Sequence, residues 1–199
     1  MSEFSTARQK MVDGQVRPSD VTDIRIIDAM LAVPREDFVP VSQRPLAYLD
    51  IDLDVSAAGE AQRFLIKPVV LARMLQAAAI KATDNVLVVG CSTGYSAAVV
   101  THLAARVTAT DGNPATAADG HAASAPYDVI VLAGATEIVS TFLYAQLAPG
   151  GRLVGVFAMS LPQRAMIVTH SHNEFGTRAL FDAAVPVLPG LERLPAFVF

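Results

Sequence analysis

An apolar run that ends in a two-glycine turn constrains this chain more than any other feature. Residues Val86–Tyr95 read VLVVGCSTGY, with Gly90 directly after four apolar residues and Gly94 four positions later. An apolar helical pattern follows over Ser96–Ala105. This order predicts a buried parallel strand, a tight turn and a helix start whose backbone N–H groups face a ligand. A plain strand-to-helix turn is the alternative interpretation.

Strand and helix patterns alternate beyond this turn, which is typical of a doubly wound parallel sheet. After the last strand of this alternation, Arg152–Phe157, the pattern changes to two β-rich stretches that predict an antiparallel hairpin. The fold class is therefore α/β, a doubly wound Rossmann-like sheet that a C-terminal antiparallel hairpin completes. The predicted elements are strands Arg106–Thr110, Tyr127–Ala133 and Arg152–Phe157, a helix Ile138–Leu147 that Pro149 ends, and hairpin strands Arg164–His170 and Arg178–Leu188 joined by Asn173–Gly176.

The first part of the chain predicts helices and one short strand. Met11–Leu31 has a helical pattern in two pieces, and Asp20 or Thr22 is the expected cap of the second. Pro68 suits the first turn of a further helix. The run DIDLDV alternates acidic and apolar residues, which predicts a half-exposed strand with its acidic side chains on one solvated face. We therefore predict no metal site at the acidic positions, which are Asp50, Asp52 and Asp54.

Composition limits the class of protein and its partners. The 199 residues fit a single domain over 1–199, with 1–80 as a helical cap and arm and 81–199 as the cofactor-binding sheet. A net charge of −4 without a basic run argues against nucleic acid, and no apolar stretch is long enough to span a membrane. A polar N-terminus and the single cysteine, Cys91, predict a cytoplasmic protein without an internal disulfide. The oligomeric state stays open.

An acidic residue follows the second predicted strand at a distance typical of cofactor binding. Asp111 lies 21 residues after Gly90. A carboxylate about 20 residues past the first glycine accepts hydrogen bonds from ribose hydroxyls in nucleotide-binding sheets. Position 92 is serine and position 95 is tyrosine, so the chain lacks the G-x-G-x-x-G pattern of dinucleotide sites. A strand-ending turn is the alternative role of this residue.

Five stretches resemble the protein-L-isoaspartate O-methyltransferase family of S-adenosylmethionine-dependent enzymes. They are DAMLAVPREDFVP (Asp28–Pro40), AYLDIDL (Ala47–Leu53), VLVVGCSTGYSAA (Val86–Ala98), APYDVIVLAGATEIV (Ala125–Val139) and LAPGGRLVGVF (Leu147–Phe157). The resemblance implies a methyltransferase-type sheet, S-adenosylmethionine as cofactor and methyl transfer to a carboxylate in damaged protein. Such a transfer depends mainly on positioning, because the carboxylate is already a nucleophile.

The resemblance also implies which residues hold the cofactor and the methyl acceptor. The acceptor is expected near Phe64–Pro68. There, Ile66 stands where the family has the serine most closely tied to catalysis, so no catalytic residue is assigned. The glycine loop also differs from the family pattern, because it has Val88 in place of an acidic residue and Ser92 in place of a middle glycine. The expected cofactor-binding residues are Val89, Gly90, Cys91, Ser92, Thr93, Gly94, Tyr95, Asp111 and Asp119.

The chain is short after its second strand. Only 16 residues separate Asp111 from Asp128, whereas a crossover helix with its strands needs about 30 residues. Either a helix and an edge strand are absent from this protein, or the sequence omits residues. Asp119 and Gly120 are interpreted as the remnant of a region that normally forms the adenine wall.

Three functions fit these observations, and whether the protein is an enzyme stays open, with methyltransferase activity favoured. The first is carboxylate methylation in damaged protein. The second is a non-catalytic protein that keeps the fold for binding, as the missing serine and altered loop suggest. The third is methylation of a small molecule, since Phe64, Leu65 and Ile66 make the acceptor site apolar.

Several other polar residues have ordinary structural explanations. Cys91 is expected to be a small loop residue, and His170 and His172 lack a third metal ligand. Gln15 and Arg17 are expected at a solvated helix end, and Glu137 at a helix start where its charge suits the helix dipole. For Tyr95, lining the cofactor site and packing on the first helical turn are equally compatible with its position.

Overall fold

The computed structural model describes residues 3–57, 59–111, 117–172 and 174–193, with a six-stranded sheet at the centre. The strands are β1 (Leu53–Asp54), β2 (Phe64–Leu65), β3 (Asn85–Val89), β4 (Arg106–Ala109), β5 (Tyr127–Thr136), β6 (Leu147–Phe157), β7 (Arg164–Ser171) and β8 (Glu174–Asp182). The α-helices are α1 (Glu3–Met11), α2 (Ile24–Ala32), α3 (Pro68–Ala78), α4 (Tyr95–Thr101) and α5 (Thr141–Ala145). Shorter helical elements are a π-helical turn Val12–Val16 and the 3-10 turns Arg17–Ser19, Arg35–Phe38, Val41–Leu46 and Ala122–Ser124.

The central sheet has the order β4-β3-β5-β6-β7-β8. Its first four strands run parallel, and β7 and β8 continue it as an antiparallel hairpin. The predicted α/β class, parallel sheet and hairpin are therefore confirmed. All five residues of β3 are buried, as expected for a strand that helices cover on both faces.

Alternating side chains of the parallel strands build two hydrophobic clusters. Val86 and Val88 join a large cluster that also contains residues of α2, α3 and α4. Leu87 and Val89 point to the other face, where they join a smaller cluster with Leu143 of α5. Because successive side chains of β3 point to opposite faces, this strand contributes to the hydrophobic cluster on each side of the sheet. No helix in the described ranges is both long and apolar enough to cross a bilayer.

Helix boundaries near the N-terminus differ from the prediction. The first helix begins at Glu3 rather than Met11 and continues through the π-helical turn. The cap of the next helix is Asp23, whose side chain accepts the N–H of Arg25, and neither predicted residue, Asp20 nor Thr22, has this role. Asp20 instead adopts a left-handed conformation that ends the preceding turn.

The acidic run DIDLDV is not a strand with a solvated acidic face. Only Leu53 and Asp54 are in β1. Asp52 accepts the N–H of Lys67 at 2.9 Å, and Asp50 accepts the N–H of Val69 at 3.1 Å. The carboxylates therefore satisfy backbone donors at the start of α3, which have no partner within the helix. This capping overrides the alternation that suggested a strand.

Three later boundaries also differ from the prediction. The helix predicted over Ile138–Leu147 is only α5, because Ser140 caps it by accepting the N–H of Leu143. Strand β6 begins at Leu147, before the predicted start at Arg152. Strand β8 covers Glu174–Asp182 and ends six residues before the predicted Leu188. The predicted hairpin turn is wrong for residues 174–176, which belong to β8 because Glu174 pairs with Ser171 and Gly176 with Thr169. Residue 173 lies outside the described residues.

Strand β4 forms the outer edge of the sheet over the described residues. Residues 112–116 of the shortened segment lie outside them. Beyond, residues 122–124 form a 3-10 turn before β5 begins. No strand lies beyond β4 among the described residues.

Arg152 of β6 ties the sheet to the end of α3. Its guanidinium donates to the carbonyls of Ala78 and Ala79 and to Asp84, the last at 2.9 Å. These side chains are largely buried, with 16% of Arg152 and 7% of Asp84 exposed. One cation thus satisfies the free carbonyls at a helix C-terminus and neutralises a carboxylate.

We expect Arg152→Ala to lower the free energy of unfolding by about 3 kcal/mol, because it leaves Asp84 buried without its partner. Arg164→Ala is the matched control. Its ion pair with Asp182 is half-exposed, so its loss should cost less than about 1 kcal/mol. Urea unfolding followed by circular dichroism measures both, and equal losses in the two variants would contradict this account.

Candidate functional site

The strand order places a crevice at the carboxyl ends of β3 and β5. The chain passes from β3 to β4 on one side of the sheet and then to β5 on the other side of β3. Such a reversal separates the loops that leave two neighbouring strands, and ligands of open α/β sheets bind between them. The turn after β3 and the end of β5 therefore form the candidate site.

The turn after β3 holds three left-handed positions, at alternate residues. Gly90, Ser92 and Gly94 have φ values of 71°, 54° and 101°. The N–H of Cys91 donates to the carbonyl of Thr110 at 3.0 Å, and the N–H of Gly94 donates to the carbonyl of Cys91 at 2.9 Å. The turn is therefore tight and fixed to the end of β4, and Ser92 adopts a conformation that favours glycine.

A small cavity joins the turn to the acceptor segment. Five of the residues singled out from the sequence line it, namely Phe64, Ile66, Gly90, Ser92 and Asp111. The Oγ of Ser92 is buried and has no hydrogen-bond partner. The other lining residues are Gln62, Arg63, Ala133, Pro186, Val187, Leu188 and Pro189. The cavity volume is about 10 Å³, which is enough for about one water molecule.

Leu188 lies against the two glycines of the crevice. A Cβ atom on Gly90 would lie 2.3 Å from one Cδ of Leu188, and a Cβ on Gly134 would lie 2.7 Å from the same atom. The leucine side chain thus contacts the backbone of both glycines, one after β3 and one in β5. The sequence does not reveal this residue as part of the site, because its apolar pattern assigns Leu188 to the end of a strand. Pro186 and Pro189 on either side of it are the signal that could have excluded a regular strand.

Most of the other predicted cofactor residues shape the turn. Val89 is buried in β3, and Cys91 is 6% exposed. Thr93 donates its hydroxyl to the carbonyl of Phe38, which ties the turn to the N-terminal part of the chain. Asp119 has an exposed side chain, and its carbonyl accepts from Gln146 at 2.5 Å. Asp119 is therefore not among the residues that line the cavity.

Tyr95 packs beneath the turn instead of lining the cavity. It is fully buried, with its ring edge-on to Phe38 at 5.7 Å between centroids. The guanidinium of Arg35 lies 4.6 Å from the Tyr95 ring centroid. The packing role considered for this residue is the one that the structure shows.

Arg35 joins the acceptor segment to this packing. The residue is 1% exposed, and its side chain donates to the carbonyls of Ala47 and Ile66, each at 2.9 Å. Burial lowers the pKa of Arg35, which the ring of Tyr95 and the carboxylate of Asp52 oppose. Arg35 therefore fixes the backbone that presents Ile66 to the cavity.

Lys67 brings a positive charge to the edge of the acceptor segment. Its ammonium group donates to the carbonyl of Ala184 at 3.0 Å and lies 3.7 Å from Asp52. Burial raises the pKa of the Asp52 carboxyl, while the N–H and charge of Lys67 act in the opposite direction. The ammonium group of Lys67 thus connects the start of α3 to the C-terminal part of the chain.

Several residues outside the cavity have structural roles. Glu137 does not begin a helix. It accepts the N–H of Arg193 at 2.8 Å, and its own N–H donates to the carbonyl of Leu191, so the predicted helix-dipole role is wrong. Gln15 is not simply solvated, because it donates to the carbonyl of Tyr48 at 3.0 Å. Arg17 pairs with Asp13 at the surface.

The described part of the chain contains no cluster of three or more His, Cys, Asp or Glu side chains arranged to hold a metal ion. His170 stacks on Phe175 with 4.8 Å between ring centroids. Its Nδ1 also lies 3.2 Å from the carbonyl of Leu147. This histidine therefore packs between the hairpin and the start of β6.

The sequence matches the family model described as Protein-L-isoaspartate(D-aspartate) O-methyltransferase in two pieces. The pieces cover residues 6–113 and 105–180. Their junction falls where the chain is short after β4. The match thus extends over most of the chain and breaks at the place where the spacing predicted missing residues.

The curated relatives of this chain carry the name of the same family. A protein-L-isoaspartate O-methyltransferase of Koribacter versatilis is 35% identical over 77% of this chain and 78% of its own length. One from Roseiflexus sp. strain RS-1 is 33% identical over 97% of this chain and 99% of its own length. The second alignment spans 220 residues, more than the 199 of this chain, so that relative carries residues that this chain lacks.

Solved structures share the fold. A protein-L-isoaspartate O-methyltransferase superimposes with a TM-score of 0.75 at 22% identity, over 93% of this chain and 67% of the other. A Plasmodium falciparum protein described as a protein-L-isoaspartate O-methyltransferase, in complex with S-adenosyl-L-homocysteine, gives a TM-score of 0.72 at 12% identity. That match covers 96% of this chain and 100% of the other.

We expect the Cys91 thiol to react slowly in the folded protein. Burial raises its pKa, and the nearby charge of Asp111 raises it further, so little thiolate forms at about pH 8. Alkylation by iodoacetamide should be at least about tenfold slower than in protein unfolded with urea, and should accelerate as the pH rises above about 9. Equal rates in the folded and unfolded protein would show that the thiol is an accessible nucleophile.

Proposed function

The chain belongs to the protein-L-isoaspartate(D-aspartate) O-methyltransferase family, and from this premise we propose that it is an S-adenosylmethionine-dependent O-methyltransferase. The proposed acceptor is a carboxylate in damaged protein, as the names of the relatives indicate. The observation that carries the proposal is the convergence of Gly90, Ser92 and Asp111 on one cavity at the switch point of the sheet. Ile66 of the acceptor segment lies at the same cavity.

The glycine turn has features that suit such a cofactor, and the side chain of Leu188 lies against it. The positive φ of Gly90 and the unpartnered buried Oγ of Ser92 suit a backbone that approaches a polar ligand closely. Leu188 lies beside this turn, because a Cβ atom on Gly90 would meet its side chain at 2.3 Å. When bound, the cofactor supplies a methyl group on a positively charged sulfur.

The chain's own residues would mainly bind and orient. Asp111 at the end of β4 is proposed to accept hydrogen bonds from the ribose hydroxyls. Gly90 and Ser92 would contact the remainder of the cofactor, with Val89, Cys91, Thr93, Gly94 and Tyr95 setting the shape of the turn. Ile66 has no hydroxyl and cannot donate a hydrogen bond to the acceptor. Orientation by the backbone that Arg35 holds is then the main contribution to the rate.

A small carboxylic acid is a second candidate acceptor. Phe64 and Ile66 present apolar surfaces to the cavity, and Arg63 lines it as a cation. The Nε of Arg63 is buried without a hydrogen-bond partner, while its Nη2 lies 3.7 Å from Glu60. An apolar wall beside a cation suits a small apolar molecule that carries one carboxylate. This observation concerns the acceptor only and leaves the cofactor unchanged.

We also propose that residues 1–199 form one domain in the cytoplasm. In support, the larger hydrophobic cluster contains residues of both the first 80 positions and the sheet. The single cysteine is a buried free thiol, as a reducing compartment allows.

We expect Asp111→Ala to weaken S-adenosylhomocysteine binding by about tenfold to a hundredfold, since it removes hydrogen bonds to a charged acceptor. Asp182→Ala is the control, because this carboxylate is exposed on β8, at the opposite edge of the sheet from β4. Isothermal titration calorimetry measures both dissociation constants. If both variants bind as tightly as the unaltered chain, the ribose role of Asp111 is wrong.

The acceptor is tested with a pair of peptides of identical sequence, one with an isoaspartyl and one with a normal aspartyl residue. We expect tritiated methyl from S-adenosylmethionine to appear only on the isoaspartyl peptide, because only its free carboxylate has the backbone position that the family recognises. Label on a small apolar acid but on neither peptide would favour the second acceptor. Label on none of them would contradict the proposed activity.

A further inference from the structure

The segment after β8 is attached to the end of β5 like a short additional strand. Its residues Val185–Leu191, here called the strap, form a parallel bridge from Val187 to Ala135. The N–H of Ala135 donates to the carbonyl of Pro186, and the N–H of Leu188 donates back to the carbonyl of Ala135, both at 2.8 Å. The strap therefore lies at the carboxyl end of a central strand, where the ligand crevice of this fold is located.

Leu188 is the part of the strap that enters the crevice. Its side chain lies against the backbone of Gly90 on one side and of Gly134 on the other. It is 6% exposed and joins the smaller hydrophobic cluster. The cavity that remains, about 10 Å³, is far below the roughly 300 Å³ of a small-molecule site. A ligand that contacts the face of Gly90 covered by Leu188 must therefore displace this side chain.

We propose that the strap is a displaceable competitor of the cofactor, with Leu188 closing the site until the strap leaves the end of β5. This inference rests on the proposed function, because it concerns the cofactor site assigned there. The strap gives the chain a closed state in which the turn is shielded and an open state in which it binds. The apparent affinity is then the intrinsic affinity reduced by the fraction of open molecules.

The strap is attached in a way that permits such a movement. Pro186 and Pro189 have no N–H, so the strap cannot form a continuous ladder with β5. The backbone bonds that join it to β5 and the following residue are those of Ala135, Leu188 and Glu137 in the described chain. At its flanks, Lys67 holds the carbonyl of Ala184, and Glu137 holds the N–H of Arg193. These flanking contacts allow the middle of the strap to move while its ends stay attached.

Hydrogen–deuterium exchange on the unaltered protein tests the proposal without any substitution. We expect saturating S-adenosylhomocysteine to accelerate exchange of the Leu188 and Ala135 amides, because the backbone bonds that these amides make break. The amides of Cys91 and Gly94 should exchange at the same rate or more slowly. Ligand binding usually slows amide exchange. Faster exchange at the strap would therefore not be expected if the site stayed rigid.

A leucine-to-alanine pair gives the second test. Leu188→Ala removes the competing side chain and should tighten S-adenosylhomocysteine binding by about tenfold, as expected when the open fraction rises. Leu161→Ala is the matched control, because Leu161 is 90% exposed and distant in sequence from the strap. Thermal unfolding of both variants shows whether each is folded, and calorimetry gives the dissociation constants.

The outcomes separate this inference from the proposed function. Tighter binding by Leu188→Ala together with faster strap exchange supports the strap, as does binding by this variant when the unaltered chain binds nothing. The strap proposal is wrong if the unaltered chain binds the ligand, its strap amides stay protected and the variant binds no more tightly. In that case the proposed methyltransferase function survives. If neither the chain nor the folded variant binds the ligand, both proposals fail. Should Leu188→Ala not fold, the exchange result on the unaltered chain decides.

Discussion

The arrangement of the site depends on one buried cation, the guanidinium of Arg35. It satisfies the carbonyls of Ala47 and Ile66 and lies over the ring of Tyr95, the first residue of the helix after the glycine turn. Removing a charge from water is costly unless hydrogen bonds and aromatic contacts replace the lost solvation. The position of this cation therefore forces the N-terminal turns, the acceptor segment and the cofactor turn into one fixed arrangement.

Around this fixed arrangement, the chain has the family's fold, and two apolar side chains lie at its candidate site. The strand order still creates a crevice beside Gly90, and Asp111 still ends the neighbouring strand. Ile66 lines the cavity with an apolar side chain, where the resemblance to the family implies a serine hydroxyl, and Leu188 lies against Gly90 and Gly134. Because both side chains are apolar, the proposed transfer would depend more on orientation and on opening than on hydrogen bonding to the acceptor.

The sequence predicts the elements whose burial is uniform and misses those that depend on single side-chain contacts. Strands β3 and β5 are continuous apolar runs, and their parallel pairing follows from burial on both faces. The alternation in DIDLDV instead reflects capping of α3 by Asp50 and Asp52, which no periodicity reveals.

The strap shows the same limit at the site itself. Its apolar residues favour a strand, although the flanking prolines exclude a regular ladder. Spacing is enough to find Gly90, Ser92 and Asp111. Leu188 cannot be found in this way, since its contact with Gly90 joins residues that are far apart in the sequence.

A crystal structure of the chain with S-adenosylhomocysteine tests the central claim most directly, because it locates the ligand and the strap in one measurement. The account predicts ligand density between the Gly90 turn and Asp111, with Leu188 withdrawn from Gly90 and Gly134. Ligand at another place, or a bound cofactor with Leu188 still against both glycines, would contradict it.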